Sequence, residues 1–433
     1  MPPRRPLPDL CLISVFKMLT LNEQLVASKM SPRCAILVRA ANRTVKTLTL
    51  TTWNYGELRT LKDSINYYSF ASKLMQQLMD IPEETFPDYP MTTRLNKWNI
   101  LRLNQLRLID TATIEQIVTL FSAVTELKFI TISSRRINTL VSLLQHPNWQ
   151  SQLTNLMVDG IDRMDNRLAA KLIPAINGLP ALQLLALHCY NTFQVPDLPI
   201  LAQLKTVVFK SLCLSAFLRS LERNAADNAD LKVLLISDDT EALLTLSQPL
   251  HSQIVCYGMD RFSYTRDQVP LLCIQFRSLT SLSLYTIEST KVEQLFTDLS
   301  QLHQLIHLKF GVDFSEVKDD EFPLPARPLV QLNSLRALDL HLNITAHSQI
   351  EWLNLSWTMP NLKTIYINFF DCDSCGAWFY RNSRQSPLPS SSDFLNCFRS
   401  SLFNLHPDVS LKRFILPSRE AFQSAEELLL QSQ

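Results

Sequence analysis

The sequence contains very little glycine, and its glycines are never close together. Six glycines are spread over 433 residues, and the two nearest neighbours are 18 residues apart. The glycine-rich loops of dinucleotide-binding folds and P-loop nucleotidases each need several glycines within a few residues, as does the nucleophile elbow of α/β-hydrolases. The sequence therefore excludes all three kinds of site.

An excess of one charge is also absent, and so is any long apolar run. The chain has 41 Lys+Arg against 40 Asp+Glu, a net charge of +1, so it has no broad electrostatic attraction for nucleic acid or anionic lipid. No apolar run reaches the roughly eighteen residues of a transmembrane helix. The apolar run from Leu10 to Phe16 ends at Lys17, which is too short for a secretory leader. We therefore expect no nucleic-acid partner, no membrane and no secretion.

The nine cysteines are odd in number and irregularly spaced, which does not fit a disulfide framework and favours a cytoplasmic or nuclear protein. Cys372 and Cys375 form the one C-x-x-C pair, and Cys397 and His406 follow it. Those four side chains could bind a structural zinc ion, but strong zinc motifs have a second close pair. Ordinary thiols are the simpler interpretation, so we expect no metal and no cofactor.

Leucine is the residue that the sequence has in excess, with 75 copies, about one residue in six. An apolar-x-x-apolar-x-apolar pattern recurs along the chain, most clearly from Leu335 through Leu338 and Leu340 to Asn343. This pattern is typical of the strand of a leucine-rich repeat. Its central residue falls at Leu48, Leu101, Leu127, Leu156, Leu185, Val207, Leu234, Ile254, Leu282, Leu308, Leu338, Ile365 and Phe414.

The spacing of these strands leaves room for a helix in each repeat. The ten steps from Leu101 to Ile365 have a mean of 26.4 residues, and apolar residues with helical spacing occur in the gaps, for example Ile114, Ile117 and Val118. The fold class predicted is α/β: a leucine-rich-repeat solenoid, or horseshoe, with parallel strands on the concave face and helices on the convex face. The irregular strands predict distortion near Val207 and Ile254.

Interruptions of the repeat divide the chain. We predict a helical domain at 1–44, a first strand and irregular linker at 45–94, the repeat array at 95–417, and a C-terminal capping helix at 418–433. Two loops, 313–325 and 381–393, interrupt the array, the first acidic and the second rich in serine and proline, and the sequence assigns neither a role.

Three short helices are predicted at the N-terminus. Asp9 to Lys17 forms the first, Thr20 and Glu23 begin the second with a capping box, and Ser31 before Pro32 begins the third. Their apolar side chains are too many for three short helices to bury among themselves, so some must meet another surface. This surplus comprises Leu7, Leu10, Ile13, Phe16, Leu19, Leu25 and Met30.

The stretch from Leu7-Pro8-Asp9-Leu10 through Ile13 and Phe16 to Leu19, with Thr20 to Ser28 after it, resembles the F-box. An F-box before leucine-rich repeats is the architecture of substrate receptors in SCF-type ubiquitin ligases. The resemblance implies that the N-terminal helices bind the ligase adaptor, and through it a cullin-RING ligase, while the repeats bind an unknown protein substrate. The adaptor-binding residues that it implies are Leu7, Pro8, Leu10, Ile13, Phe16, Leu19 and Leu25.

Two alternatives stay open. The N-terminal helices could simply cap the solenoid, in which case the chain is a free-standing leucine-rich-repeat scaffold or inhibitor. An enzyme with a dispersed catalytic site is the third candidate, but the sequence shows no signature of a catalytic triad, and we expect no enzymatic activity of the chain itself.

Polar and aromatic residues alternate with core positions along the strands, where they are predicted to lie on the concave face. Towards the N-terminus these residues are Arg102, Asn104, Glu126, Lys128, Asp159 and His188, and Ser281 and Ser283 begin the C-terminal group. The predicted substrate-binding set is Tyr285, His307, Lys309, Asp339, His341, Tyr366 and Asn368. Aromatic rings beside His and Lys suit protein recognition.

Overall fold

The computed structural model describes residues 8–51, 100–102, 111–130, 137–161, 166–189, 197–211, 213–259, 268–288, 292–313, 332–343, 359–369 and 410–415. These residues belong to two compact units, 1–234 and 235–433. In both units parallel strands alternate with helices, which confirms the α/β class and is consistent with a solenoid. The loops at 314–325 and 381–393, the Cys372 and Cys375 pair and the capping helix at 418–433 lie outside the described residues, as does most of the linker at 45–94.

The three N-terminal helices are present and begin where the sequence predicts. They are α1 (Asp9–Met18), α2 (Leu21–Ser28) and α3 (Pro32–Asn42). Thr20 and Glu23 form the predicted capping box, and the Ser31 hydroxyl accepts the N–H of Cys34 at 3.1 Å. The helix starts are therefore determined locally, by side chains that satisfy backbone N–H groups with no partner inside the helix.

The first unit continues with strands and helices in alternation. The strands are β1 (Thr47–Thr51), β2 (Ile100–Arg102), β3 (Glu126–Ile130), β4 (Asn155–Ile161), β5 (Leu184–Cys189), β6 (Thr206–Ser211) and β7 (Lys232–Ile236), the last of which crosses the unit boundary. The helices are α4 (Thr111–Leu120), α5 (Ile137–Leu144), α6 (Pro147–Gln150), α7 (Asn166–Asn177) and α8 (Ser215–Asn224), with a 3₁₀ helix at Pro199–Ala202.

The register of the first unit stacks the predicted central residues into one core. Leu48 pairs with Leu127, Leu127 with Leu156, and Leu156 with Leu185. Leu185 in turn pairs with Val207, and all five side chains are fully buried. Identical positions in successive repeats thus bury one another, which is what holds a repeat array together.

The second unit has the same construction. It contains α9 (Thr240–Leu244), a 3₁₀ helix at Gln248–Gln253, β8 (Ile254–Gly258), α10 (Gln268–Gln275), β9 (Ser281–Glu288), α11 (Val292–Leu299), β10 (His307–Asp313), β11 (Ala337–Asn343), β12 (Thr364–Phe369) and β13 (Ser410–Ile415). Neighbouring strands from β8 to β13 pair in chain order and in parallel. Leu282, Leu308 and Leu338 pair in register and are fully buried.

Two predicted central residues are displaced. Tyr257, not Ile254, pairs with Leu282, because Ile254 occupies the first apolar position of the pattern in its repeat and Tyr257 the second, three residues later. Near the end of the array Leu411, not Phe414, pairs with Ile365, and Phe414 pairs with Ile367. A pattern that accepts any apolar residue locates the strand, but it does not determine which apolar residue occupies the central position.

The start of the array differs from the sequential order that the repeat spacing predicts. β1 pairs with β3 on one side and with β2 on the other, so the strand order is β2, β1, β3. Leu101 consequently pairs with Leu50 rather than with Leu48. Among the described helices, none has both the length and the apolar character required to cross a bilayer.

Candidate functional site

The N-terminal helices expose most of the large apolar side chains found at the surface of the described residues. Of eight such side chains, six lie between residues 10 and 36. They are Leu10, Val15, Met18, Val26, Met30 and Ile36, and the other two are Leu271 and Ile274 of α10. Apolar side chains scattered singly over a surface are ordinary, whereas a concentration on one small domain indicates an interaction site.

Helix α1 presents its exposed apolar residues on one face. Successive residues of an α-helix are 100° apart, so Leu10, Met18 and Val15 fall within about 140° of arc, with Cys11 and Ser14 between them. Leu10 is 78% exposed and Met18 is 72% exposed, and both Cys11 and Ser14 are also at the surface. The opposite side of α1 carries Phe16, which is buried. We call the set Leu10, Val15 and Met18 the α1 face.

The predicted adaptor-binding residues divide into two groups. Pro8 and Leu10 are exposed, and Ile13 and Leu19 are half-buried. Phe16 and Leu25 are buried and therefore hold the helices together instead of contacting a partner. Leu7 lies outside the described residues.

Sequence reasoning missed Val15, Met18, Val26 and Ile36. A signal for the first two was available, because Leu10, Val15 and Met18 recur at i, i+5 and i+8, on the side of the helix away from Ile13 and Phe16.

Polar contacts fix the arrangement of the three helices. Arg33 of α3 forms an ion pair with Asp9 of α1 at 2.6 Å. The Gln24 side chain donates to the backbone carbonyls of Phe16 and Leu19 at 2.8 and 3.0 Å. Since α1 and α2 both contact α3, the exposed apolar residues are displayed on a structured bundle.

The bundle also contacts the start of the repeat array. Helix α3 contacts α4, and the Gln116 side chain of α4 donates to the carbonyl oxygen of Leu25 at 3.4 Å and to the hydroxyl of Ser28. The N-terminal helices therefore contact the first repeat, and within the part of the chain that the structure describes the α1 face stays exposed.

The second candidate surface, on β9 to β12, is only partly assembled as the sequence predicts. Lys309 pairs with Asp339, and Asp339 pairs with Tyr366, so these three residues form one row across neighbouring strands. His341 likewise pairs with Asn368. Tyr285 is not in register with the others, because the pairing of β9 and β10 shifts and places Thr286 opposite Gly311.

Burial also distinguishes the members of this second set. Lys309 and Asp339 are half-buried, whereas His307 is buried and its Nδ1 lies 3.4 Å from the hydroxyl of Ser281. Ser281 and Ser283, which the alternation predicts on the open face, are buried as well. The side chains of Tyr285, His341, Tyr366 and Asn368 lie outside what the structure describes.

His188, predicted on the same open face, is buried too. Burial, with a smaller effect of Lys210, lowers the pKa of His188 to about 2, so its ring is neutral at physiological pH. Glu126 and Lys128 are half-buried and form an ion pair at 3.0 Å. Arg102 ends β2, while Asn104 and the side chain of Asp159 lie outside the described residues.

No group of three or more potential metal ligands occurs among the described residues. The Cys372, Cys375, Cys397 and His406 constellation lies outside them. Six cysteines are described, and all six are free thiols. They are Cys11, Cys34, Cys189, Cys213, Cys256 and Cys273.

Comparison with known proteins leaves the family open. No protein-family model matches the chain, and no curated protein matches it. Among solved structures, the chain is similar to one in the crystal structure of the Rad7 and Elc1 complex in yeast, with 12% identity and a TM-score of 0.31. That alignment covers 59% of this chain and 66% of the other, slightly less than two thirds. At this level of similarity the match supports no conclusion about function.

Proposed function

We propose that this chain is a substrate-recognition subunit of an SCF-type ubiquitin ligase. In this proposal helices α1 to α3 are an F-box that binds the adaptor subunit, and the repeat array is a leucine-rich horseshoe that binds a protein substrate. The observation that carries the proposal is the concentration of exposed apolar side chains on the N-terminal bundle. A cullin-RING ligase joins through the adaptor and performs the chemistry, so the chain itself needs no catalytic group and no cofactor.

The α1 face has the chemistry of a protein-binding surface. Leu10, Val15 and Met18 lie on one helix, and burying a side chain of this size contributes roughly 1.5 to 3 kcal/mol. The Asp9 and Arg33 ion pair and the Gln24 contacts hold the helices in place, which lowers the conformational entropy lost on association. A partner with an apolar groove for one helix fits this surface.

The proposal places the protein in the cytoplasm or nucleus, where SCF-type ligases and reduced thiols are both found. Its support is the odd number of cysteines and the free thiols of the described residues.

A second function has one observation in its favour. It is supported by the contacts of Gln116 with α2 and of α3 with α4, which are those expected of helices that cap a solenoid. If capping is its whole role, the chain is a free-standing scaffold or inhibitor. The two functions differ in one respect, which is whether the α1 face binds an adaptor.

Calorimetric titration of the purified full chain with the adaptor subunit decides between them. Leu10→Asp combined with Met18→Asp should weaken adaptor binding by at least about tenfold, the equivalent of 1.4 kcal/mol, because each substitution places a charge on the apolar surface. Leu271→Asp combined with Ile274→Asp is the matched control, since it introduces the same two charges at exposed apolar positions of α10 and should leave the affinity unchanged. Absence of measurable binding by the unmodified chain would refute the F-box assignment and favour the cap.

A further inference from the structure

Helix α3 and its C-terminal cap expose arginine side chains around one large apolar residue. Arg33, Ile36, Arg39 and Arg43 are all exposed, and Ile36 is 65% exposed. At 100° per residue the four positions fall within about 120° of arc, with Ile36 at its centre. The side of α3 that packs inside the bundle carries its buried residues, Leu37, Val38, Ala41 and Asn42. We call Arg33, Ile36, Arg39 and Arg43 the α3 face.

Positive charge is concentrated in this part of the chain. Residues 24–51 contain no Asp or Glu, and their five basic residues are all exposed. These basic residues are Lys29, Arg33, Arg39, Arg43 and Lys46. The whole chain has 41 basic and 40 acidic residues, so the excess is local to the N-terminal bundle and the turn after it.

Arg33 differs from the other two arginines of the α3 face because it has an acidic partner. Asp9 of α1 accepts its hydrogen bond at 2.6 Å, so this guanidinium group helps to hold the bundle together. Arg39 and Arg43 form no ion pair within the part of the chain that the structure describes. They are one helical turn apart, about 6 Å along the axis, and so display two unpaired guanidinium groups side by side.

The acidic residues on the helices next to α3 are engaged elsewhere. Glu115 belongs to α4, which contacts α3, and it pairs with His146 at 2.8 Å. Glu23 of α2 accepts the backbone N–H of Thr20 at 2.7 Å as part of the capping box. Among the described residues of these helices, none therefore neutralises the unpaired arginines of the α3 face.

The helix dipole accounts for the position of these arginines but not for the missing acidic residues. Cations are stabilised at a helix C-terminus, which is where the two unpaired arginines lie. Helix α8 has the same arrangement, with Arg219 and Arg223 one turn apart towards its C-terminus. There, however, Glu222 is exposed between them in the sequence, and Arg223 pairs with Asp197 at 3.3 Å. Mixed charge, with no large apolar side chain exposed on α8, distinguishes that helix from the α3 face.

We infer that the α3 face binds an acidic segment of a protein partner, with an apolar side chain of that segment against Ile36. Carboxylates match guanidinium groups, which donate charge-assisted hydrogen bonds to them. Two unpaired arginines supply fewer contacts than the roughly six to ten phosphates that a nucleic-acid-binding protein can neutralise. A helix that inserts into a lipid surface presents a broad apolar side, whereas that side of α3 is buried in the bundle. The inference goes beyond adaptor binding through the α1 face and does not depend on it.

The test uses the full chain and a labelled peptide in which one leucine lies between two pairs of glutamates, flanked by glycine and serine. Five extended residues span about 16 Å, and Ile36 and Arg43 are about 10 Å apart along the helix axis. Binding is measured by fluorescence anisotropy at low salt, where charges are little screened. Arg39→Glu combined with Arg43→Glu should weaken binding by about tenfold or more, because it reverses both unpaired charges.

Two controls separate the α3 face from net charge and from the peptide's apolar residue. Arg219→Glu combined with Arg223→Glu makes the same change in charge, at the same spacing and towards the same end of a helix, and should weaken binding less than about threefold. Ile36→Ala should weaken binding of the leucine peptide by about threefold or more. It should leave unchanged a peptide with alanine in place of the leucine, which has too small a side chain to contact position 36.

Equal losses in the two double variants would show attraction by net charge alone and overturn the inference, as would absence of binding to the unmodified chain. Equal effects of Ile36→Ala on the two peptides would overturn the apolar contact. Tighter binding of a single-stranded oligonucleotide or an anionic phospholipid vesicle through Arg39 and Arg43 would overturn the partner class.

Adaptor affinity is titrated separately, so that failure of this inference and failure of the proposed function are distinguishable. It should be unchanged in Arg39→Glu combined with Arg43→Glu, and its loss there would assign the α3 face to the adaptor interface and overturn the inference of a separate partner. If the glutamate variants melt early by circular dichroism, glutamine replaces glutamate at the same four positions of α3 and α8.

Discussion

The side-chain amide of Asn42 donates a hydrogen bond of 2.6 Å to Oε1 of Gln24, and this bond connects α3 to α2. The amide nitrogen of Gln24 donates at the same time to the carbonyls of Phe16 and Leu19 at the end of α1. One buried side chain thus links all three N-terminal helices. Since Gln24 and Asn42 are both buried, water cannot readily replace the hydrogen-bond partners of their polar atoms.

Substitution of Gln24 should therefore destabilise the bundle. We expect Gln24→Leu to cost about 1 to 3 kcal/mol, because it leaves the Asn42 amide and two carbonyls without this partner in a buried site. Hydrogen exchange of α1 to α3 measures the effect locally. Glu23→Gln is the control, since Glu23 is exposed and its capping contact with Thr20 is kept by glutamine. Unchanged protection in Gln24→Leu would contradict this account.

Phe16 and Leu10 should respond differently to substitution although both were predicted to bind the adaptor. Phe16 is 7% exposed and Leu10 is 78% exposed. Phe16→Ala should destabilise the bundle by about 3 to 5 kcal/mol through lost packing, whereas Leu10→Ala should change its stability by less than about 0.5 kcal/mol. Hydrogen exchange in α1 distinguishes the two variants. Equal losses of protection in Phe16→Ala and Leu10→Ala would contradict the burial of Phe16 and the exposure of Leu10.

The N-terminal helices could be predicted from the sequence because their boundaries depend on local chemistry. Thr20, Glu23, Ser31 and Pro32 each act on a backbone group within three residues. The core of the array could be predicted as well, because leucines that recur at a fixed spacing are compatible with few structures other than a repeat strand. The periodicity of α1 puts Met18 and Phe16 on different sides of the helix, but which side is buried depends on where α3 packs against α1.

The central residues of some strands and the order of the first strands were predicted less well, for a related reason. An apolar pattern accepts either Ile254 or Tyr257 as the central residue, and only pairing with Leu282 selects the second. The position of β2 beyond β1 depends on a long-range pairing that no repeat spacing encodes. The register shift that leaves Tyr285 out of register with the rest of the predicted set is likewise a property of two strands together, not of either sequence.

The six described thiols should react at very different rates. Cys11 is exposed, while Cys189 and Cys273 are buried and burial raises the pKa of each to about 12. Burial also raises the pKa of Cys256. Because the thiolate is the reactive form, alkylation of the native protein should label Cys11 first and leave these three unmodified.

Mass spectrometry after short exposure to iodoacetamide measures this order. A denatured sample is the control, and it should show all nine cysteines alkylated without prior reduction. Cysteines that resist labelling until a reductant is added would reveal disulfides and contradict the expected cytoplasmic or nuclear location.

Asp298 and Asp197 should give opposite dependences of stability on pH. Burial raises the pKa of Asp298, which is 5% exposed, whereas hydrogen bonds from Asn224 and the nearby Arg223 lower the pKa of Asp197. A carboxyl whose pKa is raised on folding destabilises the protein once the pH rises above its ordinary value near 3.9, and one whose pKa is lowered stabilises it over the same interval.

Asp298→Asn should therefore raise the melting temperature at neutral pH, and Asp197→Asn should lower it. Each kcal/mol corresponds to roughly 2 to 4 °C for a unit of this size. The Asp298 difference should shrink as the pH falls towards 4, because its carboxyl becomes protonated, whereas the Asp197 difference should persist near pH 4 and shrink only below it, as the pH falls through the lowered pKa of Asp197. Calorimetric scans from acidic to neutral pH test the pair, and shifts of the same sign would contradict the assigned environments.

Tyr366 should contribute more to partner binding by the array than Tyr285. Tyr366 is in register with Asp339, which pairs with Lys309, so an aromatic residue and two charges of opposite sign share one row. An aromatic residue at the centre of an interface often accounts for about 2 kcal/mol or more of affinity, and polar groups beside it add directional contacts. Tyr285 lies where the register of β9 and β10 shifts, outside that row.

A photo-crosslinking amino acid at position 366 should therefore capture a bound protein in cells, with less capture at 285 and none at the control position 274 on α10. Tyr366→Ala should reduce recovery of the same protein without lowering the melting temperature much, because the apolar alternation of the sequence predicts core positions at 365 and 367 and not at 366. Crosslinks confined to position 274, or to positions within 56–92, would show that the partner binds elsewhere on the chain even if the adaptor binds α1.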